Sequence, residues 1–443
     1  MNFFSRNILN MKQYQMKTVI VGGGFAGVNL AQTLLKNNPN IQVTLVDRNN
    51  YNFFPPLLYQ VATGFLDISN ISYPYRRLFR DEPNFKFQVG ELLSVHPEEN
   101  KIILSTGEIT YDNLVIATGT TSNYFGMENI QKYSLPMKTI DDAIALKNTL
   151  LQRLEDATLC TDPVMRKRMT TIVVAGGGPT GVELAGMLAE LTKNIFKKDY
   201  PELADLPFDI FLVDGLPTLL APMSQKSQSY TLNSLTKMGV SVKLNKRVVD
   251  FDQNKVSFAD GEEIETQNLI WAAGVTSQRF EGMPDGAYTR GNRLIVDEFN
   301  KVNGQGNIYA IGDNCFQTSD AAFTNGHPQV AQVAIQQGAN LANNLIATLN
   351  GGKQTPFSYN DKGSMAIIGR NKAVADLPKP AIHFNGFLAW LMWLFVHLIS
   401  LINFRNKLKT AYNWVAAYVT KDQHLRMIVR SKVKNEEGVD YLM

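Results

Sequence analysis

Two glycine-rich turns, GGGFAG at 22–27 and GGGPTG at 176–181, lie about 150 residues apart. Each follows a short apolar run and opens a longer one. Lys17 to Val21 reads as a strand, the residues to about Leu35 as a helix, and Ile41 to Val46 as a second strand. Thr171 to Ala175, about Val182 to Leu191, and Asp209 to Val213 repeat that pattern. A glycine-rich turn between a strand and a helix is meaningful where an isolated one is not. There the helix start offers bare N–H groups and a positive dipole end to a pyrophosphate. Two such β-α-β units predict an α/β chain with two Rossmann-like dinucleotide-binding domains.

In the first turn, Gly22 makes the bend, Gly24 lets backbone approach the phosphates, and Gly27 allows close helix–strand packing. Asp47 closes the second strand twenty residues after Gly27, where a carboxylate can accept both ribose hydroxyl protons. In the second turn the same places fall to Gly176, Gly178 and Gly181. Its acidic residue, Asp214, comes thirty-three residues after Gly181, a longer interval that the segment 193–207 accounts for as an insertion. A carboxylate there repels a 2′-phosphate, so NADH is expected over NADPH. Glu183, in the first turn of that helix, has two readings. One is a carboxylate favoured by the dipole, the other a group aimed at the junction of the two cofactors.

The rest of the chain sets limits. With 443 residues and 44% hydrophobic content it holds two or three domains with real cores. NLVIATG (113–119) and NLIWAAGV (268–275) rhyme, each an apolar strand ending in small residues that let backbone lie near a flat ligand. NIYAIGDNC (307–315) is a further short strand, followed by a helix from about Gln329 to Leu349, and 363–377 reads as a β-hairpin. The two cysteines, Cys160 and Cys315, form no CxxC pair, so neither a redox dithiol nor a disulfide framework is expected. No metal site is expected either.

The net charge is only +3, yet residues 376–443 carry nine Lys or Arg against five Asp or Glu. A neutral body argues against nucleic-acid binding, and a basic tail argues for an anionic surface. Residues 387–402 form a sixteen-residue apolar run whose one ionisable group is His397. Arg405, Lys407, Lys409, Tyr412, Trp414 and Tyr418 follow. The run falls short of the roughly 20 residues a span needs, so helices lying in one leaflet are expected. A buried cap, a dimer contact or a single span are the competing readings. Residues 1–15 read as a short extension, not a secretory signal.

The two turns, together with PPLLYQVATG (55–64), LVIATG (114–119), IWAAGV (270–275), IYAIGD (308–313), AQVAIQQG (331–338) and GFLAWLMWLFVHL (386–398), resemble type II NADH:quinone oxidoreductase. The likeness runs from about Thr18 to Val433. It implies a two-dinucleotide-binding-domain flavoprotein with a C-terminal membrane-attachment region. Such an enzyme passes hydride from NADH to FAD and then two electrons to a quinone, without pumping protons. It implies FAD at Gly22, Gly24, Gly27 and Asp47, with Gly119, Gly312 and Asp313 beside it. NADH would lie at Gly176, Gly178, Gly181, Glu183, Asp214 and Gly274. Gln332 and Gln336, at i and i+4 on one helix face, match the motif that borders the quinone pocket. By spacing alone they are two polar residues on an ordinary helix.

The implied domains are 16–130 with 285–378 for FAD, 131–284 for NADH, and 379–443 for anchoring. The implied setting is the cytoplasmic face of the cell membrane, with a homodimer allowed. Two protons must reach the quinone, and Glu183 or a water chain is the expected route. Met187 stands where some relatives carry a second Glu. The alternatives are a sulfide:quinone oxidoreductase, which needs paired cysteines, and a non-catalytic NADH-sensing flavoprotein. A soluble ferredoxin-type reductase has no use for the aromatic tail.

Overall fold

The computed structural model describes residues 16–38, 40–422, 425–429, 432–434 and 440–442. The expected extension at 1–15 lies outside the described residues. The chain divides into two compact units.

The first unit comprises Met1–Asn52, Pro74–Thr121 and Thr276–Asp361. Its centre is a five-stranded parallel sheet in the order Ile308–Ala310, Asn113–Ile116, Met16–Val21, Ile41–Asp47, Phe85–Val89. Val19, Ile20 and Val21 are all buried because both sheet faces are covered. Ile20 joins a core under the helices Phe25–Asn37 and Ala331–Leu349. Val19 and Val21 join the opposite core under the antiparallel strands Leu92–His96, Lys101–Leu104 and Gly107–Thr110. The two helices pack at backbone distance, since a Cβ on Gly338 would stand 2.6 Å from the Ala26 carbonyl oxygen.

The second unit comprises Phe53–Tyr73, Ser122–Val275 and Lys362–Met443. It repeats the design with a parallel sheet ordered Leu135–Pro136, Asn268–Trp271, Ile172–Ala175, Ile210–Val213, Val240–Lys243. A three-stranded meander, Val248–Phe251, Lys255–Phe258 and Glu263–Glu265, again covers one face. In each unit the glycine-turn strand is flanked on both sides, so the turn opens at the point where the strand order reverses.

The expected insertion at 193–207 begins by continuing the helix Pro179–Leu191 through a π-helical turn, Thr192–Phe196, and a short turn, Lys197–Asp199, and then breaks to a separate 3-10 turn at Pro201–Leu203. The hairpin is Ser364–Gly369 and Lys372–Pro378, extended by Ala381–Asn385. It lies with the second unit, whereas the sequence reading grouped it with the first nucleotide domain. The reason is Gly186, where a Cβ would sit 1.7 Å from the Ile368 carbonyl oxygen. That glycine lets the strand cross the helix at backbone distance.

Two helices close the unit, Gly386–Ser400 and Phe404–Thr420. Ala389, Trp393, Thr410 and Trp414 face inward and are buried. Phe387, Leu391, Phe395, Ile399, Phe404, Leu408, Tyr412, Val415 and Val419 face outward and are exposed. No helix among the described residues is long and apolar enough to cross a membrane.

Candidate functional site

The two glycine turns are built alike at their first, third and sixth positions. Gly22 has φ +104° and Gly176 φ +119°, both in the region that disfavours side chains. A Cβ on Gly22 would meet the Ala117 carbonyl oxygen at 2.3 Å, and one on Gly176 the Ala272 carbonyl oxygen at 2.5 Å. The rhyming strands therefore end in small residues because their carbonyls abut the glycine turns. At Gly27 and Gly181 a Cβ would run into the carbonyl oxygen of Gly22 and of Gly176, at 1.9 and 1.8 Å. Gly24 and Gly178, by contrast, have open space where a Cβ would point. That is the arrangement a pyrophosphate needs, with tight packing behind the turn and clearance in front.

The acidic residues are fixed by their own turns. Asp47 accepts from the Gly23 N–H at 2.7 Å and from the Asn49 N–H at 2.8 Å. Burial pushes its carboxyl up from the usual range, and those two bonds, with Arg48 and Tyr75, work against the shift. Asp214 accepts from the Gly177 N–H and, at 2.6 Å, from the Leu216 N–H. Each carboxylate is thereby held at a strand end beside the phosphate turn. Tyr75 and Asn52, which the sequence reading missed, donate to the Gly23 carbonyl at 2.8 and 2.7 Å and brace the first turn from below.

Gly119 (φ +67°) and Gly312 (φ +78°) lie in the first unit, and Gly274 (φ +75°) in the second. Asp313 is half-buried and accepts from the Thr120 hydroxyl at 3.4 Å. Its loop is secured by Gln337, fully buried, whose Oε1 accepts the Gly312 N–H at 2.7 Å. Gln332 and Gln336 share a face of the helix Ala331–Leu349, toward residues 359–360. Gln332 accepts from the Tyr359 hydroxyl at 3.4 Å. Gln336 exchanges two 3.0 Å bonds with the Asn360 backbone. Its carboxamide thus fixes the neighbouring segment.

Glu183 is buried in the second unit, 8% exposed. Its carboxylate faces the strand Ser364–Gly369, accepting from the Ile367 N–H at 3.4 Å. The Trp393 indole N–H is near enough to favour the charged form without reaching hydrogen-bond geometry. Burial outweighs both and pushes the carboxyl up to about 8. At neutral pH the group is therefore protonated and able to donate.

A cavity of about 140 Å³ adjoins it, walled by Tyr59, Met187, Ile367, Trp390 and Trp414 and reaching Arg370 and Lys421. Gln60, 2% exposed, ties this wall together. It donates to the Tyr59 hydroxyl and accepts from the Trp414 indole, both at 2.8 Å. Tyr59 and Gln60 stand inside the quoted PPLLYQVATG segment, so the motif held them without revealing their partners.

Cys160 and Cys315 are both free, and Cys315 is fully buried with its thiol pushed up by burial to about 11. A thiol in that state is a poor nucleophile at neutral pH. Among the described residues no group of three or more His, Cys, Asp or Glu is placed to hold a metal ion.

Comparison with known proteins agrees with this geometry. Residues 16–338 match the family model described as pyridine nucleotide-disulphide oxidoreductase, and residues 362–421 match the NDH2 C-terminal domain. Two Mycobacterium tuberculosis proteins, the type II NADH:quinone oxidoreductases Ndh and NdhA, are 33% and 35% identical. Each alignment covers 91% of this chain, with 88% of Ndh and 87% of NdhA. The solved structure of NDH2 from Plasmodium falciparum in complex with NADH superimposes with a TM-score of 0.83 at 22% identity. It covers 94% of this chain and 99% of that one.

Proposed function

We infer the roles of individual residues from one premise: this chain belongs to the type II NADH:quinone oxidoreductases, and it is a flavin-dependent enzyme that passes electrons from NADH to a quinone. The observation that carries the two-nucleotide reading of the site is the duplicated turn, twice combining a glycine that admits no Cβ with an aspartate pinned to the next N–H.

We propose that the flavin is FAD, on the first turn. Gly22, Gly24 and Gly27 shape the pyrophosphate seat, and Asp47 takes the ribose hydroxyls. Gly119, Gly312 and Asp313 follow the cofactor's length. When bound, the flavin supplies the two-electron exchange. NADH takes Gly176, Gly178, Gly181, Asp214 and Gly274. A fixed aspartate at the strand end excludes a 2′-phosphate by charge. Gln332 and Gln336 border the quinone pocket, Gln336 by holding Asn360 in place. Glu183 donates a proton toward the quinone, a role supported by its protonated state at neutral pH.

The outward apolar residues of the two tail helices support attachment to one leaflet. A contiguous exposed apolar face marks an interaction surface, and the basic residues between them suit anionic lipid. We place that surface on the cytoplasmic face of the cell membrane, with a homodimer through the same helices as the competing use of it. The sulfide alternative lacks support, because it needs a reactive cysteine pair and Cys315 is buried and protonated.

The test is an anaerobic absorbance spectrum of the purified protein. NADH should bleach the flavin bands, and a soluble short-chain quinone should restore them. Protein that stays colourless after added FAD refutes the assignment. Bleaching by sulfide but not NADH transfers it to the alternative, and bleaching without recovery on quinone reduces the chain to a sensor.

A further inference from the structure

NADH oxidation by a quinone, NADH + H⁺ + Q → NAD⁺ + QH₂, takes one proton from solvent per turnover. A buried carboxyl that gives up this proton must be refilled from outside. We propose that the cavity beside Glu183 is the inlet for that proton, with Glu190 as its outer relay. This rests on the reading of Glu183 as the donor, and it adds the path and the residue that feed it.

Glu183, Met187 and Glu190 occupy positions i, i+4 and i+7 of one helix, so they share a face, and all three line the cavity. The two carboxylates are two helical turns apart, roughly 10 Å along the axis. Between them stands a thioether, which carries no exchangeable proton. Proton movement over that gap therefore needs water, and a volume of about 140 Å³ has room for several molecules. Polar partners for them line the walls, namely Tyr59, Gln60 and Asn194.

The outer end is built to hold Glu190 at the threshold. It is half-buried and accepts from the Arg370 N–H at 2.5 Å. Burial raises its carboxyl, while Arg370 and Lys372 favour its charge. Those opposed influences suit a group that both takes up and releases a proton. Lys421 and Asp422 stand at the mouth, with the Arg370 guanidinium stacked 4.0 Å over the Tyr418 ring. The proton passes from bulk water to Glu190, through cavity water past Met187, and onto the Glu183 carboxylate left by the previous turnover. Each transfer breaks one O–H bond and makes another, with no change of oxidation state. Glu190 meets neither cofactor nor quinone in this scheme and acts through Glu183.

The test uses flavin-loaded full-length protein in stopped flow, reduced anaerobically with NADH and mixed with a soluble short-chain quinone. E190Q keeps the acceptor for the Arg370 N–H, so it preserves the local fold. We expect the quinone step to slow roughly tenfold, with a larger solvent deuterium isotope effect and unchanged flavin reduction by NADH. Added formate, a small weak acid able to enter the cavity, should restore the rate. M187F, which fills the channel, should slow the same step, and E190Q/M187E, which sets a carboxylate midway, should recover it.

If E183Q slows the quinone step but E190Q leaves rate and isotope effect at wild-type values, the inlet is refuted and the donor role of Glu183 stands. If E183Q itself has no effect, the donor reading falls and the inlet with it. A slowed E190Q with no change in isotope effect and no rescue by formate is a structural defect, and it also overturns the proposal. E190Q with formate decides the question without M187F, should the bulky residue impair folding.

Discussion

Burying Glu183 has a cost that a pH series can read. Its carboxyl is pushed from 4.5 to about 8 by loss of solvent, only partly countered by the Ile367 N–H and Trp393. A raised carboxyl binds its proton more tightly in the folded protein than in the unfolded one. Folding therefore loses stability as pH climbs from about 4.5, and the loss is complete once pH exceeds about 8. At 1.36 kcal/mol per pH unit, the accumulated penalty is about 2 kcal/mol at pH 6 and about 5 kcal/mol at pH 9.

Glu183→Gln keeps an oxygen for the Ile367 N–H but has nothing to ionise, so it escapes the penalty. Every other titrating group is common to both proteins and cancels in the comparison. The stabilisation by E183Q should thus grow by about 3 kcal/mol between pH 6 and pH 9. For a unit of this size that widens the gap in Tm by about 6 °C. Differential scanning fluorimetry on the flavin-loaded proteins across that range is the assay. A gap that stays constant with pH means Glu183 ionises as an ordinary carboxylate, and the argument for a protonated donor fails.

Three other outcomes follow from the same coordinates. The quinone step should be flat at neutral pH and fall about tenfold per unit above pH ~8 as Glu183 loses its proton, and this limb should be missing in E183Q when pre-steady-state rates are compared. Gly22→Ala should yield protein with little bound flavin, whereas Gly176→Ala should keep its colour but need at least tenfold more NADH for bleaching, since backbone strain of ~1–3 kcal/mol is confined to one turn; equal loss of both ligands in either variant contradicts two separate seats. Phe395→Glu with Val415→Glu should reduce sedimentation with anionic vesicles, because each large apolar side chain contributes ~1.5–3 kcal/mol on burial; undiminished binding, or loss of a dimer by light scattering instead, moves the tail's role from lipid to a second copy.

The fold's outline was legible because both of its organising signals are local. A glycine turn between an apolar strand and an apolar helix, followed by an aspartate at the next strand end, can be read from contiguous residues, and it occurs twice. The rhyme of NLVIATG with NLIWAAGV was visible too. Its cause was not, since the Ala117 and Ala272 carbonyls reach Gly22 and Gly176 only when distant strands pair. Gly186 carries no local signal of its role, which arises only where the strand Ser364–Gly369 crosses the helix at backbone distance. The same crossing buries Glu183 and gives its carboxyl an unusual affinity for a proton.

What the sequence determined by itself was the class of molecule: two nucleotide-binding units, a basic aromatic tail, and NADH over NADPH as the expected donor. These follow from residue type and spacing within one element. What only the tertiary structure decided was the environment of each group. Proton affinity depends on solvent exclusion, and Glu183 loses its solvent to residues from Tyr59, Ile367 and Trp393, far apart in the chain. Likewise the cavity lined by Glu183 and Glu190 takes part of its wall from Tyr59 and Trp414, which Gln60 ties together. No periodicity encodes that volume, for it is the space left where three distant segments meet.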